Sequence, residues 1–328
     1  MIAAQTGAMR MASWQAILLN QMLRFTLKRR ADRPFDLDLV RKLTRSPPKR
    51  ALHVPVGWTV KEIEPEPGLR FDVADRATTR TAEPSLIVMY LHGGGYFFGS
   101  PKTHRQVVIG LARSLAAPVH ALTYRLAPEH PFPAATEDAL AAYAWLIATY
   151  PSANLVLAGD SAGGGLALVT AIAARDRGWR MPAAIIAFSP WTDLAATGAS
   201  LETNNKSCAM FTANSIRKGA AVYLGTTSRT DPRASPLYAD LTGLPPMLVF
   251  ASRHEVLLDD SVRLAQKARA AGVEVTLIVR DRMPHVWPIF HRLLPEGREA
   301  LAQSAAFVTG LLDKQPAPAR HSAPLTPA

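Results

Sequence analysis

Short, continuously apolar runs alternate with longer amphipathic stretches along most of the chain. The runs at 85–91 (SLIVMYL), 118–123 (PVHALT), 154–158 (NLVLA), 183–188 (AAIIAF), 246–251 (PMLVFA) and 274–279 (EVTLIV) have the pattern of strands buried on both faces. Between them, helical periodicity covers 103–116, 134–149, 162–177, 261–271 and 298–313. This alternation predicts a mainly parallel sheet with helices on both sides. Residues 54–63 and 69–73 predict two further strands joined by a turn over Pro65–Gly68. The stretch 190–245 is longer and less regular, and predicts an insertion with a helix near 212–224. Upstream, residues 1–50 read as a separate helical segment closed by Ser46-Pro47-Pro48. Its Trp14, Ile17, Leu18, Met22 and Phe25 recur at steps of three and four, which predicts one apolar helix face. The Pro/Ala-rich tail 314–328 is expected to be disordered.

Composition narrows the class. With 48% apolar and 19% charged residues among 328, the chain carries enough apolar surface to fold. A single cysteine, Cys208, excludes an internal disulfide and a thiolate metal cluster. No run of 18 apolar residues offers a membrane span, and Gln15, Asn20 and Gln21 interrupt the apolar N-terminal stretch. The expectation is a cytoplasmic enzyme. The formal charge is +11, and residues 24–50 hold ten Lys/Arg against Asp32, Asp36 and Asp38. A solvated basic face is the plain reading. No zinc-finger spacing and no aromatic–basic interleaving points to nucleic acid as a partner.

The candidate chemistry starts at NLVLAGDSAGGG. A buried strand runs into Gly159-Asp160-Ser161-Ala162-Gly163 and a helix follows, which is the strand–turn–helix context of a nucleophilic serine. Glycines flank Ser161 because side chains there would collide with neighbouring backbone. The helix beginning after Ser161 aims its first N–H groups toward a developing negative charge. Some 70 residues earlier, strand 85–91 ends in His92-Gly93-Gly94-Gly95. Glycines there let backbone N–H groups approach a ligand, so Gly93, Gly94 and Ala162 are expected to form an oxyanion hole. His92 reads as a structural support of that loop.

A nucleophilic serine needs a histidine base and an acid to orient it, in the chain order Ser, acid, His. Of the histidines after Ser161, His321 lies in the tail, His291 in a short helix and His254 next to the acid candidates. His285 follows the last strand in a loop, and is the expected base. The acid follows strand 246–251. Glu255 is nearest the strand end, while Asp259 and Asp260 immediately precede a helix whose N–H groups they suit as caps. Glu255 is preferred, with Asp259 next.

These residues resemble the hormone-sensitive lipase family of α/β-hydrolases. The likeness covers most of 85–290 and rests on HGGG at 92–95, YRLAPEHPFPAATED at 124–138, GDSAGG at 159–164, SPWTDL at 189–194, DPRASPL at 231–237, EVLLDD at 255–260 and MPHVW at 283–287. The resemblance implies an α/β-hydrolase fold over 51–313. It also implies a helical cap built from 1–50 and an insertion near 195–230, and a serine esterase needing neither metal nor organic cofactor. Two departures stand out: the acid position holds Glu255 where Asp is commoner, and Val286-Trp287 follow the histidine where Gly-Phe is frequent. Tyr124, Arg125 and Glu129 are expected to form a buried polar network beneath the site, with Asp160 as a scaffold hydrogen-bonder. Tyr96, Phe97 and Trp287, and the helix face carrying Trp14, Ile17 and Leu18, are expected to make an apolar pocket. The expected substrates are small-molecule esters of short to medium acyl chain, or lactones. A peptidase or amidase on the same fold, or a non-catalytic binding protein, are the competing readings. The sequence leaves the oligomeric state open and is compatible with a homodimer.

Overall fold

Each apolar run becomes a strand of one sheet. The computed structural model describes residues 11–29, 41, 49–77 and 82–314. Its strands are β1 (Trp58–Glu66), β2 (Leu69–Arg76), β3 (Leu86–Leu91), β4 (Val119–Thr123), β5 (Asn154–Asp160), β6 (Ala184–Phe188), β7 (Met247–Ser252) and β8 (Val275–Arg280). They lie in the order β1-β2-β4-β3-β5-β6-β7-β8. β1 and β2 pair antiparallel, as do β2 and β4. The remaining pairs, from β4–β3 through β7–β8, are parallel. This is the mainly parallel sheet expected of the alternation.

The helices are α1 (Trp14–Leu23), α2 (Arg105–Leu115), α3 (Ala134–Thr149), α4 (Ala162–Asp176), α5 (Ser200–Thr203), α6 (Ala213–Leu224), α7 (Leu258–Ala270) and α8 (Pro295–Leu312). Strand side chains point alternately to opposite faces, so each central strand feeds two cores. Ile87, Met89 and Leu91 of β3 join one cluster with Tyr143 of α3, Leu166 of α4 and Leu264 of α7. Val88 and Tyr90 join the other with Leu111 of α2 and Leu301 of α8. Burying each large side chain contributes roughly 1.5–3 kcal/mol, which is why these runs carry no polar alternation. In the insertion, α6 starts at Thr212, whose hydroxyl accepts from the Ser215 amide, and it buries Ile216, Ala220 and Tyr223 in the first cluster.

The N-terminal helix corrects an expectation. Its predicted inward face is exposed: Trp14, Ile17, Leu18, Met22 and Phe25 face outward, while Ala16, Leu19 and Leu23 on the opposite side are buried in the second cluster. Both sides of α1 are apolar, so spacing alone selected the wider stripe, and packing selected the other. The rest of the proposed cap segment, 1–10, 30–40 and 42–48, and the tail from 315 lie outside the described residues. No helix among the described residues is long and apolar enough to cross a membrane.

Parallel strands deliver their following loops to one edge. β3, β5, β7 and β8 therefore bring the glycine loop, Ser161, Glu255 and His285 to the same side of the sheet.

Candidate active site

Ser161 sits between the end of β5 and the first residue of α4, with φ +53° and ψ −121°. Such a left-handed, non-glycine residue is strained, and a sharp strand-to-helix turn is what holds it. The flanking glycines are steric necessities. A Cβ on Gly163 would lie 2.0 Å from Leu91 O, and one on Gly159 would lie 2.4 Å from Gly163 O. β3 and the elbow thus touch backbone to backbone.

His285 Nε2 lies 2.9 Å from Ser161 Oγ. Its Nδ1 hydrogen-bonds Glu255 Oε2, and both side chains are buried. The other carboxylate oxygen of Glu255 accepts from the Ser252 amide at 2.7 Å and the Ser189 hydroxyl at 2.9 Å. Asn204 Nδ2 donates to Glu255 O at 2.9 Å and steadies the loop. The rival acids face elsewhere. Asp259 Oδ2 accepts from the Ser200 amide at 2.9 Å. Asp260 Oδ2 accepts from the amides of Thr192 and Asp193 at 2.7 and 2.8 Å. Burial, then the charge of Asp193, pushes the Asp260 carboxyl up to about 8 despite those amides.

The glycine loop differs from expectation at one position. The Gly93 N–H already donates to Asp160 Oδ1 at 3.0 Å, so it is not free for an oxyanion. A Cβ on Gly93 would lie 2.2 Å from Asp160 Oδ2, which explains the glycine without any substrate. Among the described residues, the amides of Gly94, Gly95 and Ala162 have no acceptor within the protein.

Asp160 is the anchor of this loop. Tyr90 OH donates to its Oδ1 at 2.6 Å, and His104 Nε2 lies 3.4 Å from its Oδ2. Burial opposes charge on both partners. The pairing outweighs it, raising the His104 pKa and lowering that of Asp160. His92 is structural: Tyr124 OH donates to His92 O at 2.6 Å and the two rings stack at 4.2 Å. Burial, then the neighbouring His104, depresses the His92 pKa to about 3, so the ring stays neutral.

Three other expectations are corrected. Of the YRLAPEH residues only Tyr124 enters the buried network. Arg125 pairs with Asp138 at 2.8 Å, and exposed Glu129 pairs with Arg41, whose Nε also donates to Phe97 O at 2.9 Å. Both of these ion pairs lie where water reaches them. Trp287, at the start of the 3-10 turn Trp287–Phe290, is fully buried edge-on to Phe250 in the second core, so its place is core packing. Trp14, Ile17 and Leu18 on α1, also expected in the pocket, are exposed among the described residues. Tyr96 is buried, stacked on Tyr223 at 3.8 Å, and a Cβ on Gly219 of α6 would lie 3.0 Å from the nearly buried Phe97 ring.

Sequence reasoning missed Phe211, whose ring stands edge-on to His285 at 5.3 Å. It also missed His104 and Ser189. Ser189 had a signal, since it is the first residue past a buried strand adjoining the nucleophile strand. His104, 56 residues from Asp160, had none.

Comparison with known proteins gives this geometry a context. Residues 88–289 match a family model described as an alpha/beta hydrolase fold. An acetyl-hydrolase of Streptomyces hygroscopicus is 46% identical over 222 residues, 67% of this chain and 74% of that one. An esterase of Acinetobacter venetianus is 37% identical over 232 residues, 70% and 77% of the two chains. Among solved structures, the esterase EstE5 soaked with p-nitrophenyl butyrate superposes with a TM-score of 0.84 at 39% identity, covering 92% of this chain and 100% of that one. An esterase described as belonging to the bacterial hormone-sensitive lipase family gives 0.83 at 39% identity and the same coverage.

Proposed function

The chain belongs to the hormone-sensitive lipase family of α/β-hydrolases, and from that premise we propose that it cleaves carboxylic esters of short to medium acyl chain through an acyl-enzyme on Ser161. The observation that carries the assignment of roles is the 2.9 Å contact of Ser161 Oγ with His285 Nε2, on a ring whose other nitrogen meets the buried Glu255 carboxylate.

In the proposed reaction Ser161 Oγ bonds to the carbonyl carbon as its proton passes to His285 Nε2. Glu255 stabilises the imidazolium through Nδ1–H. The carbonyl oxygen becomes an anion and takes hydrogen bonds from Gly94 and Ala162, with Gly95 in the place expected of Gly93. The bond to the alcohol oxygen then breaks, and His285 returns the proton to the leaving group. Water attacks the acyl-enzyme by the same route reversed and frees the acid and Ser161. Buried donors aimed at a developing charge are worth about 2.7–4 kcal/mol each.

The names of relatives, an acetyl-hydrolase and an esterase soaked with p-nitrophenyl butyrate, favour short acyl groups. The buried, stacked Tyr96 and Tyr223 rings fit that preference. A series of p-nitrophenyl esters of increasing chain length, with a lactone and an amide alongside, tests it. Turnover should be highest on the short esters. Ser161→Ala should abolish turnover and fluorophosphonate labelling while the folded state persists. Wild-type activity in that variant would remove the nucleophile from the proposal.

A further inference from the structure

Two residues beside the Glu255 carboxylate hold left-handed backbone without being glycine: Ser189 with φ +48° and Val286 with φ +53°. Such conformations persist only where the surroundings over-determine them, and they gather at functional sites. One hydrogen bond joins the pair. The Val286 amide donates to Ser189 Oγ at 3.1 Å, and the same hydroxyl donates its own hydrogen to Glu255 Oε1 at 2.9 Å. Ser189 is 0% exposed, so water does not compete for either bond.

We infer that Ser189 is a positioning residue for ester hydrolysis, its hydroxyl holding the Glu255 carboxylate and the backbone beside His285 in register with Ser161. The inference rests on the triad roles proposed above. Glutamate has one more rotatable bond than aspartate, so its carboxylate has more ways to miss Nδ1. With Oε2 turned to His285, the orientation of the group depends on what holds Oε1. One donor, the Ser252 amide, is at the end of β7, three residues before Glu255 on the same stretch of chain. The other, Ser189, comes from the end of β6, the neighbour of the strand that carries the nucleophile. The linkage is continuous. The Ser161 amide donates to Phe188 O at 2.9 Å, the next residue is Ser189, and its own amide donates to Phe250 O of β7 at 2.7 Å. From Ser189 Oγ the connection divides, one branch to the acid and one to the residue after the histidine.

Ser189→Gly and Ser189→Ala separate this role from simple turn formation. Glycine accepts a positive φ freely and removes the hydroxyl. In both variants kcat on p-nitrophenyl butyrate should fall about ten- to a hundredfold, the loss expected of a hydrogen bond to a charged group, with KM within about twofold. The acid limb of kcat/KM should move to higher pH, because a carboxylate stripped of a donor is more basic and favours protonation of the histidine it faces. The other side chains against that ring, Ser161 and Phe211, are unchanged. If Ser189→Ala fails to fold, Ser189→Gly, with no strained Cβ, carries the test. A turn-forming role predicts the opposite for glycine, namely wild-type or better kcat and an unmoved acid limb, and that result overturns the inference. A kcat that falls only in proportion to folded protein, with the pH limb unmoved, overturns it equally. Ser161→Ala is assayed in parallel. Turnover there sinks the triad itself, whereas an inactive Ser161→Ala beside a fully active Ser189→Gly sinks the role of Ser189 alone.

Discussion

Around Ser161, the side chains of Glu255, Asp160, Ser189 and His285 are buried and paired; along residues 11–27, apolar side chains are exposed. Glu255, Asp160, Ser189 and His285 are nearly inaccessible, and each makes hydrogen bonds to elements far away in sequence. Of the nine large apolar side chains exposed among the described residues, seven belong to residues 11–27. That segment is attached by polar contacts: Ser13 to Glu296 at 2.7 and 3.0 Å, Asn20 Nδ2 to Arg282 O at 2.7 Å, and Arg24 to Ser207 O at 2.6 Å. The difference teaches where precision is needed. An unpaired buried polar group costs more than its hydrogen bond gains, so the catalytic edge tolerates one arrangement. A helix held by a few surface contacts and three buried residues tolerates many substitutions. The contacts of Asn20 and Arg24 nonetheless fall on the loop of the base and on the segment next to Asn204, which steadies the acid.

The largest effect tests the buried side of the comparison. Glu255→Gln should lower turnover by about 10⁴, as loss of the orienting acid does in serine proteases. Greater harm from Asp259→Asn in the same assay would mean that the acid is misassigned.

Next is the pair beneath the glycine loop. His104→Ala leaves Asp160 buried without its cation and should destabilise the protein by about 3–5 kcal/mol in urea unfolding. The pH dependence has a definite sign. His104 is raised from 6.5, so its contribution is complete below 6.5 and is lost as pH rises through the raised value. Asp160 is lowered from 3.8, so its contribution is present above 3.8 and is lost as pH falls through the lowered value. Wild-type stability should decline on both sides of that window, and the variant should lack the alkaline decline.

The smallest effects concern α1. Leu19→Ala, on the buried face, should cost about 2 kcal/mol. Trp14→Ser, on the exposed face, should change stability by less than about 0.5 kcal/mol. Equal costs in thermal or urea unfolding would erase the distinction between the two faces.

Much of this molecule was legible in its sequence because the relevant signals are local. A strand buried on both faces reads as an apolar run, so β3 through β8 were placed to within a residue or two. The elbow at Ser161 announces itself through glycines that sterics demand, and His285 follows from strand order. The tertiary structure decided what depends on through-space pairing. It turned α1 to bury Leu19 in place of Trp14, engaged the Gly93 amide with Asp160, and folded Trp287 into the core. It also aimed Asp259 and Asp260 at backbone amides and Glu255 at the imidazole. Periodicity reports which side of an element is apolar, and glycines report where backbones crowd. Neither reports which of several equivalent donors and acceptors will meet once distant strands share an edge.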